Sequence, residues 1–217
     1  MNEENASPVE IGRLLRAGNA GFVAGCRVSE MDKPSFGALV RAPQADGYQI
    51  YGLIYDMRIE DDGLVRQLVT ADVRDESVIA DNRLNRNVPL EMSVLSIGYL
   101  LGSKIHHLLP PRPPLSLDVI YLCDGKELRA FTRAGHFGYL RHILRAIDLP
   151  TEELLAAHFM YAVEAHEAAG ATDWPAQATH ELITILRDDY PRMMGVLSAL
   201  SDISSGSSVG LISVINT

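Results

Sequence analysis

The spacing of hydrophobic residues changes partway along the chain. Up to about residue 131, apolar and polar residues alternate in short runs broken by Gly, Pro and Asp, the period of two that marks half-buried strands. Residues 11–16 form the first run, and Gly18-Asn19-Ala20-Gly21 turns the chain. Phe22, Ala24, Cys26 and Val28 set the second in strict alternation, 36–41 make the third, and 43–47 a turn. A long fourth run over 48–60 ends at Asp61-Asp62-Gly63, a strong turn signal. Residues 89–100 and 119–123 supply two more strands, and Asp124-Gly125 predicts a hairpin into 127–131. Between Leu64 and Val88, the residues Val73, Val78, Ile79 and Leu84 permit a short helix. About six short strands with glycine corners predict a small closed antiparallel barrel, which leaves no sheet edge exposed.

Beyond residue 131 the period lengthens to that of a helix. Phe137, Leu140, Ile143, Leu144 and Ile147 predict one buried helical face. Thr151 is placed to cap a second helix, with Glu152 and Glu153 in its first turn and Leu155, Phe159, Ala162 and Val163 buried, ending at Gly170. Asp173-Trp174-Pro175 opens a third helix carrying Leu182, Ile183, Ile185 and Leu186. Pro191 opens a fourth through Met193, Met194, Val196, Leu197 and Leu200, before a Ser/Gly stretch over 201–208 and an apolar tail over 209–215. The fold class is therefore α+β: a barrel domain over 9–131, a helical domain over 132–202, and a linker and tail over 203–217.

Composition narrows the function. At 217 residues with 47% hydrophobic content, the chain can bury a core. The charge is 19 − 28 = −9, and neither half carries the basic excess that non-specific nucleic-acid binding requires. The amino end is acidic where a signal peptide would be basic, and no apolar run approaches the roughly 20 residues of a membrane helix. A soluble, cytoplasmic protein with no membrane partner is expected. Cys26 and Cys123 lack metal-ligand spacing and fall on apolar strand positions, where burial quenches a thiol.

No catalytic framework emerges, so no enzyme, cofactor or metal is expected. A phosphate loop needs G-x-x-x-x-G-K-[ST]. In Gly98-Tyr99-Leu100-Leu101-Gly102-Ser103-Lys104 the spacer is one residue short and Ser follows the second glycine; Gly125-Lys126-Glu127 lacks the upstream glycine. His158 and His166 lie eight apart on one helix, about 12 Å by helix rise, too far to share an ion unless His180 bridges them. They are expected as partly exposed histidines, and His106-His107 as a surface pair. An enzyme built on His158 or His166 is the least supported class.

One loop gathers cations in an acidic chain. Residues 100–115 bring together Lys104, His106, His107 and Arg112, the last set among Pro110, Pro111, Pro113 and Pro114. The prolines predict an extended, rigid backbone. It would serve as a strap across the barrel mouth, or as a contact strip in which Arg112 meets a phosphate or a carboxylate.

The same loop carries a resemblance. Val94-Leu95-Ser96-Ile97-Gly98-Tyr99-Leu100, then Leu108-Leu109-Pro110-Pro111-Arg112-Pro113-Pro114, then Val119, resembles the closing part of the HAS barrel at the front of HerA-type ATPases. Ile11-Gly12-Arg13-Leu14 is similar to that family's opening strand, Phe36-Gly37-Ala38-Leu39-Val40 to its aromatic-glycine segment, and Tyr51-Gly52-Leu53-Ile54 to the strand after it. The barrel also resembles the amino-terminal barrel of the ATP synthase α and β subunits. The resemblance covers about residues 9–131. The glycine that follows the family's proline strap is missing, with Leu115-Ser116-Leu117 in its place, and helices stand where the motor domain would follow. What it implies is the barrel's assembly role alone: a non-catalytic adaptor that forms a homo-oligomer or docks on a HerA-like hexameric ATPase. The alternative is a nucleic-acid-binding barrel of DNA processing, with Tyr48, Tyr51 and Tyr55 stacking bases and Arg58, Lys104 and Arg112 on phosphates.

Overall fold

The computed structural model describes residues 8–27, 34–59 and 89–206. Seven strands are formed: β1 (Glu10–Ala17), β2 (Gly21–Arg27), β3 (Leu39–Pro43), β4 (Gln49–Ile59), β5 (Pro89–Leu101), β6 (Lys104–His106) and β7 (Val119–Leu122). Their order is β2-β1-β7-β3-β4-β5, and β2 pairs back with β5, so six antiparallel strands close into a barrel. The three-residue β6 extends β5 as a hairpin, with Tyr99 opposite His106. The Asp61–Gly63 turn, the 64–88 segment and Val28 lie outside the described residues.

Alternation decides what lies inside. Ile11 and Leu14, Phe22 and Ala24, Val40 and Ala42, Ile50 and Ile54, Met92 and Val94, and Ile120 fill the barrel interior. On β3, β4 and β5 the other face is apolar too: Leu39, Tyr51, Leu53 and Ile97 point outward into a second core shared with the helices. The third strand starts at Leu39, later than its sequence predicts, because Gly37 takes φ +82 and holds Phe36 and Gly37 in a turn.

Five helices follow: α1 (Gly125–Arg133), α2 (Leu140–Arg145), α3 (Thr151–Ala168), α4 (Trp174–Leu186) and α5 (Tyr190–Gly206). Where a hairpin into 127–131 is expected, α1 forms. Asp124 is its N-cap: the Glu127 amide donates to the Asp124 carboxylate at 2.7 Å and the Asp124 amide to the Glu127 carboxylate at 3.2 Å. This reciprocal capping box satisfies two donors that a helix start otherwise leaves open. Leu128, Phe131 and Thr132 then face inward. The fourth predicted helix also outruns its expected end, since 201–206 continue α5 rather than begin a linker; the apolar tail lies outside the described residues. At the start of α3, Pro150 holds the cap position and Thr151 stands in the first turn.

Helix α3 lies at the centre of this layer, against α1, α2, α4 and α5. It buries Leu154, Leu155, Phe159, Ala162 and Val163 as predicted, and also His158 and His166. Both histidines are 0% exposed, against the expectation of partial exposure. Both fall on the packed side of α3, where a neutral imidazole serves as an aromatic ring: His158 meets Tyr139 edge-on and His166 stacks on Trp174. Ile147 departs in the other direction. Helix α2 stops at Arg145, and Ile147 is left 83% exposed in the loop to α3.

Candidate functional site

Residues 101–117 cross one end of the barrel and are pinned to it at several points. Asn19, in the β1–β2 turn, donates its amide to the Pro110 carbonyl at 2.7 Å. The Tyr48 hydroxyl, at the β3–β4 turn, donates to the Arg112 carbonyl at 3.4 Å. The Leu117 amide donates to the Leu14 carbonyl at 2.8 Å. The Asp118 carboxylate accepts from the Leu115 amide at 2.7 Å and from Gln44 at 2.6 Å. Pro110 and Pro114 are buried between these points. With φ fixed at four prolines and the carbonyls tied down, the segment is a stiff strap.

An aromatic ladder supports its polar side chains. Tyr48 and Tyr99 lie 5.7 Å apart, and His106 stacks on Tyr99 at 4.9 Å with 16° between the planes. The Arg112 guanidinium sits 5.1 Å over the Tyr48 ring, a cation–π placement that keeps its charge at the surface. Lys104 shares the His106 side of β6 by strand alternation and is exposed. Neither Lys104 nor Arg112 pairs with a carboxylate among the described residues. Burial pushes the Tyr48 hydroxyl pKa up.

His107 goes the other way, and the expected surface pair is split. It is 6% exposed, on the Ile105 side of the strand, where the helices pack. Its Nε2–H donates to the Phe131 carbonyl at 3.1 Å, and its own carbonyl accepts from Arg141 and, at 3.1 Å, from His142. The ring meets Phe131 at 4.8 Å and Tyr139 at 5.2 Å; Phe131 in turn meets Tyr51 at 4.8 Å, and Tyr139 meets His158 at 5.4 Å. This seam joins the barrel to α1 and α3. Burial pushes His107 down to about 4, partly offset by the Phe131 carbonyl. Burial also drives the Tyr139 hydroxyl well above its ordinary pKa and Tyr51 up to about 12. These groups are neutral packing elements at neutral pH.

The four residues singled out by sequence thus divide. Arg112 and His106 are linked through the Tyr48–Tyr99 ladder, Lys104 lies on the His106 side of β6, and His107 belongs to the interior seam. Sequence reasoning missed the apolar partners of the three. Leu101, Leu108, Leu109, Leu115 and Leu117 are 55%, 51%, 47%, 68% and 70% exposed, five of the thirteen large hydrophobics that stand out among the described residues. A second signal was available in the sequence: no Asp or Glu occurs from Met92 to Leu117, in a chain with 28 of them. Leu117 also takes φ 72, in the left-handed region, where the resemblance lacks its glycine. A leucine there costs about 1–2 kcal/mol of backbone strain, yet its side chain gains little by burial.

What this surface can do is recognise. It offers fixed cations and leucines on a stiff backbone, the make-up of a protein-contact patch. Of the three tyrosines predicted to stack bases, Tyr48 and Tyr51 are packed in cores at 3% and 4% exposure, and Tyr55 is half-buried. Among the described residues no group of three or more His, Cys, Asp and Glu side chains is placed to hold a metal ion. No helix among them is long and apolar enough to cross a membrane. Compared with known proteins, the chain is matched by no protein-family model and by no curated protein.

Proposed function

We propose that the protein is a non-catalytic assembly or adaptor protein of the cytoplasm, built on a HAS-like barrel, which self-associates or docks on a HerA-like ATPase in DNA processing. The observation that carries this reading is the strap: five exposed leucines within residues 101–117, beside Lys104 and Arg112, on a backbone held to the barrel by hydrogen bonds. Exposed apolar side chains concentrated in one rigid segment serve association rather than folding. The resemblance of residues 9–131 to the HerA-type barrel supplies the class of partner. Helices standing where the motor would follow fit a subunit that contributes assembly surface without hydrolysing nucleotide.

Capture on an immobilised, purified HerA-like hexameric ATPase tests the reading. The full chain is expected to be retained, and a Lys104→Glu/Arg112→Glu variant to elute about tenfold more readily, as for the loss of fixed charges at an interface rim. Passage of the wild-type chain without retention contradicts the ATPase arm of the proposal.

A further inference from the structure

We propose that the chain pairs with a second copy of itself, two-fold symmetrically, through a surface formed by the strap, the β1–β2 turn and the α2–α3 loop. This pairing rests on the assembly reading and names its first partner. The three pieces are continuous. The β1–β2 turn touches the strap through Asn19 and Pro110. On its other side, Arg16, Gly18 and Phe22 line a groove of about 490 Å³ together with Tyr55, Leu95 and Leu149. Ile147 stands at the rim of that groove and, at 83%, is the most exposed large hydrophobic among the described residues.

Two complementary pairs are present on this one surface. The first is steric, a protruding Ile147 beside an apolar groove. The second is electrostatic. Lys104 and Arg112 stand exposed on the strap, while Asp148 and Glu153, also exposed, stand on and just after the α2–α3 loop. None of these four forms an ion pair among the described residues. In the proposed pairing the two-fold axis passes at the β1–β2 turn, which touches the strap and lines the groove, so that each copy's strap cations face the other's loop acids and each Ile147 reaches toward the other's turn. Self-complementarity of this kind is what an isologous interface requires, because the same patch must serve both sides. A foreign partner would need only one half of each pair, which is why a second copy is the favoured occupant. Leu117 agrees with this: its strained backbone holds an apolar side chain outward beside Leu115, where a contact would use it.

Sedimentation equilibrium of the full chain at low and high concentration tests the proposal. The expected mass at high concentration is twice the 23.8 kDa of the chain. Ile147→Asp, at a position too exposed to affect folding, is expected to weaken the dimer at least about tenfold, as loss of an interface anchor does. Leu117→Gly removes the contact and relieves the backbone. It is expected to dimerise more weakly while melting no lower than wild type, which separates a lost contact from a lost fold. Lys104→Glu is expected to weaken the dimer, and Lys104→Glu/Asp148→Lys to restore it. A monomer at every concentration, a closed assembly larger than two, or a dimer indifferent to Ile147→Asp overturns the proposal. A monomer would leave the ATPase capture to stand or fall by itself, and failed capture with the dimer intact would count against the ATPase alone.

Discussion

Acidification from pH 6.5 to pH 4 is expected to destabilise the fold steeply, because three histidines are buried neutral. His107, His158 and His166 each have a folded pKa of about 4, below the ordinary 6.5, so in this window the unfolded chain binds protons that the folded chain refuses. Stability therefore rises with pH between these two values, is fully present above 6.5, and its loss levels off below 4. Each case has its own structural reason. His158 is wholly buried against Tyr139, and the Gly37 backbone offsets only part of its desolvation. His166 is lowered first by burial and then by Arg133 and Arg129, against the weaker pull of Asp173. Its Nε2–H lies 2.8 Å from the Thr132 hydroxyl, which itself donates to the Leu128 carbonyl at 2.8 Å. Protonation would load the other nitrogen, which has no acceptor, while the ring stays stacked on Trp174 at 4.7 Å. For His158 alone the interval corresponds to roughly 3 kcal/mol, a large part of a typical domain's 5–15 kcal/mol. Denaturant midpoints measured across the pH range check this: His158→Phe is expected to flatten the slope between 6.5 and 4, and a wild-type profile flat over that window would contradict it.

Gly37→Ala is expected to cost about 2–5 kcal/mol, because the position combines a left-handed backbone with a closed contact. Gly37 has φ +82, and a Cβ there would lie 2.5 Å from the Ala157 Cβ and 2.9 Å from the Ala157 carbonyl carbon and the His158 amide nitrogen. Two of those three atoms are main chain of α3, which cannot give way as a side-chain tip can. The barrel loop and the central helix therefore touch backbone to backbone, and an added methyl must push the helix off the barrel. Gly47 provides the control. It has φ +72, and a Cβ there would meet nothing within 4 Å, so Gly47→Ala is expected to cost only the backbone term, about 1 kcal/mol. Thermal or denaturant melts of both variants measure the difference, and equal losses would mean that the helical layer does not depend on this contact.

Most strands were legible because alternation is a local signal, and one apolar face sufficed to place β1, β2 and β7. Strands β3 to β5 were legible as strands, but their outer apolar face gave no hint that helices would cover it. Helix α1 was misread because Asp124-Gly125 serves equally as a hairpin turn and as a helix start. The choice fell to Glu127, three residues after the cap, and to the burial of Phe131 against Tyr51 and Tyr139, which only the fold reveals. Ile147 continues the helical period on paper, but α2 has already ended at Arg145 and Asp148 turns the chain with φ 61. The strap was found by its cations. Its leucines passed unnoticed because exposure is a property of the closed barrel, and no local pattern marks a left-handed Leu117.

Hydrogen–deuterium exchange of the full chain at low and high concentration tests most directly whether the strap surface exists for association. Added protection is expected at high concentration in the amides of 101–109, 115–118 and 146–149, with the opposite wall of the barrel unchanged. Equal exchange at both concentrations, or protection confined to other segments, would contradict it.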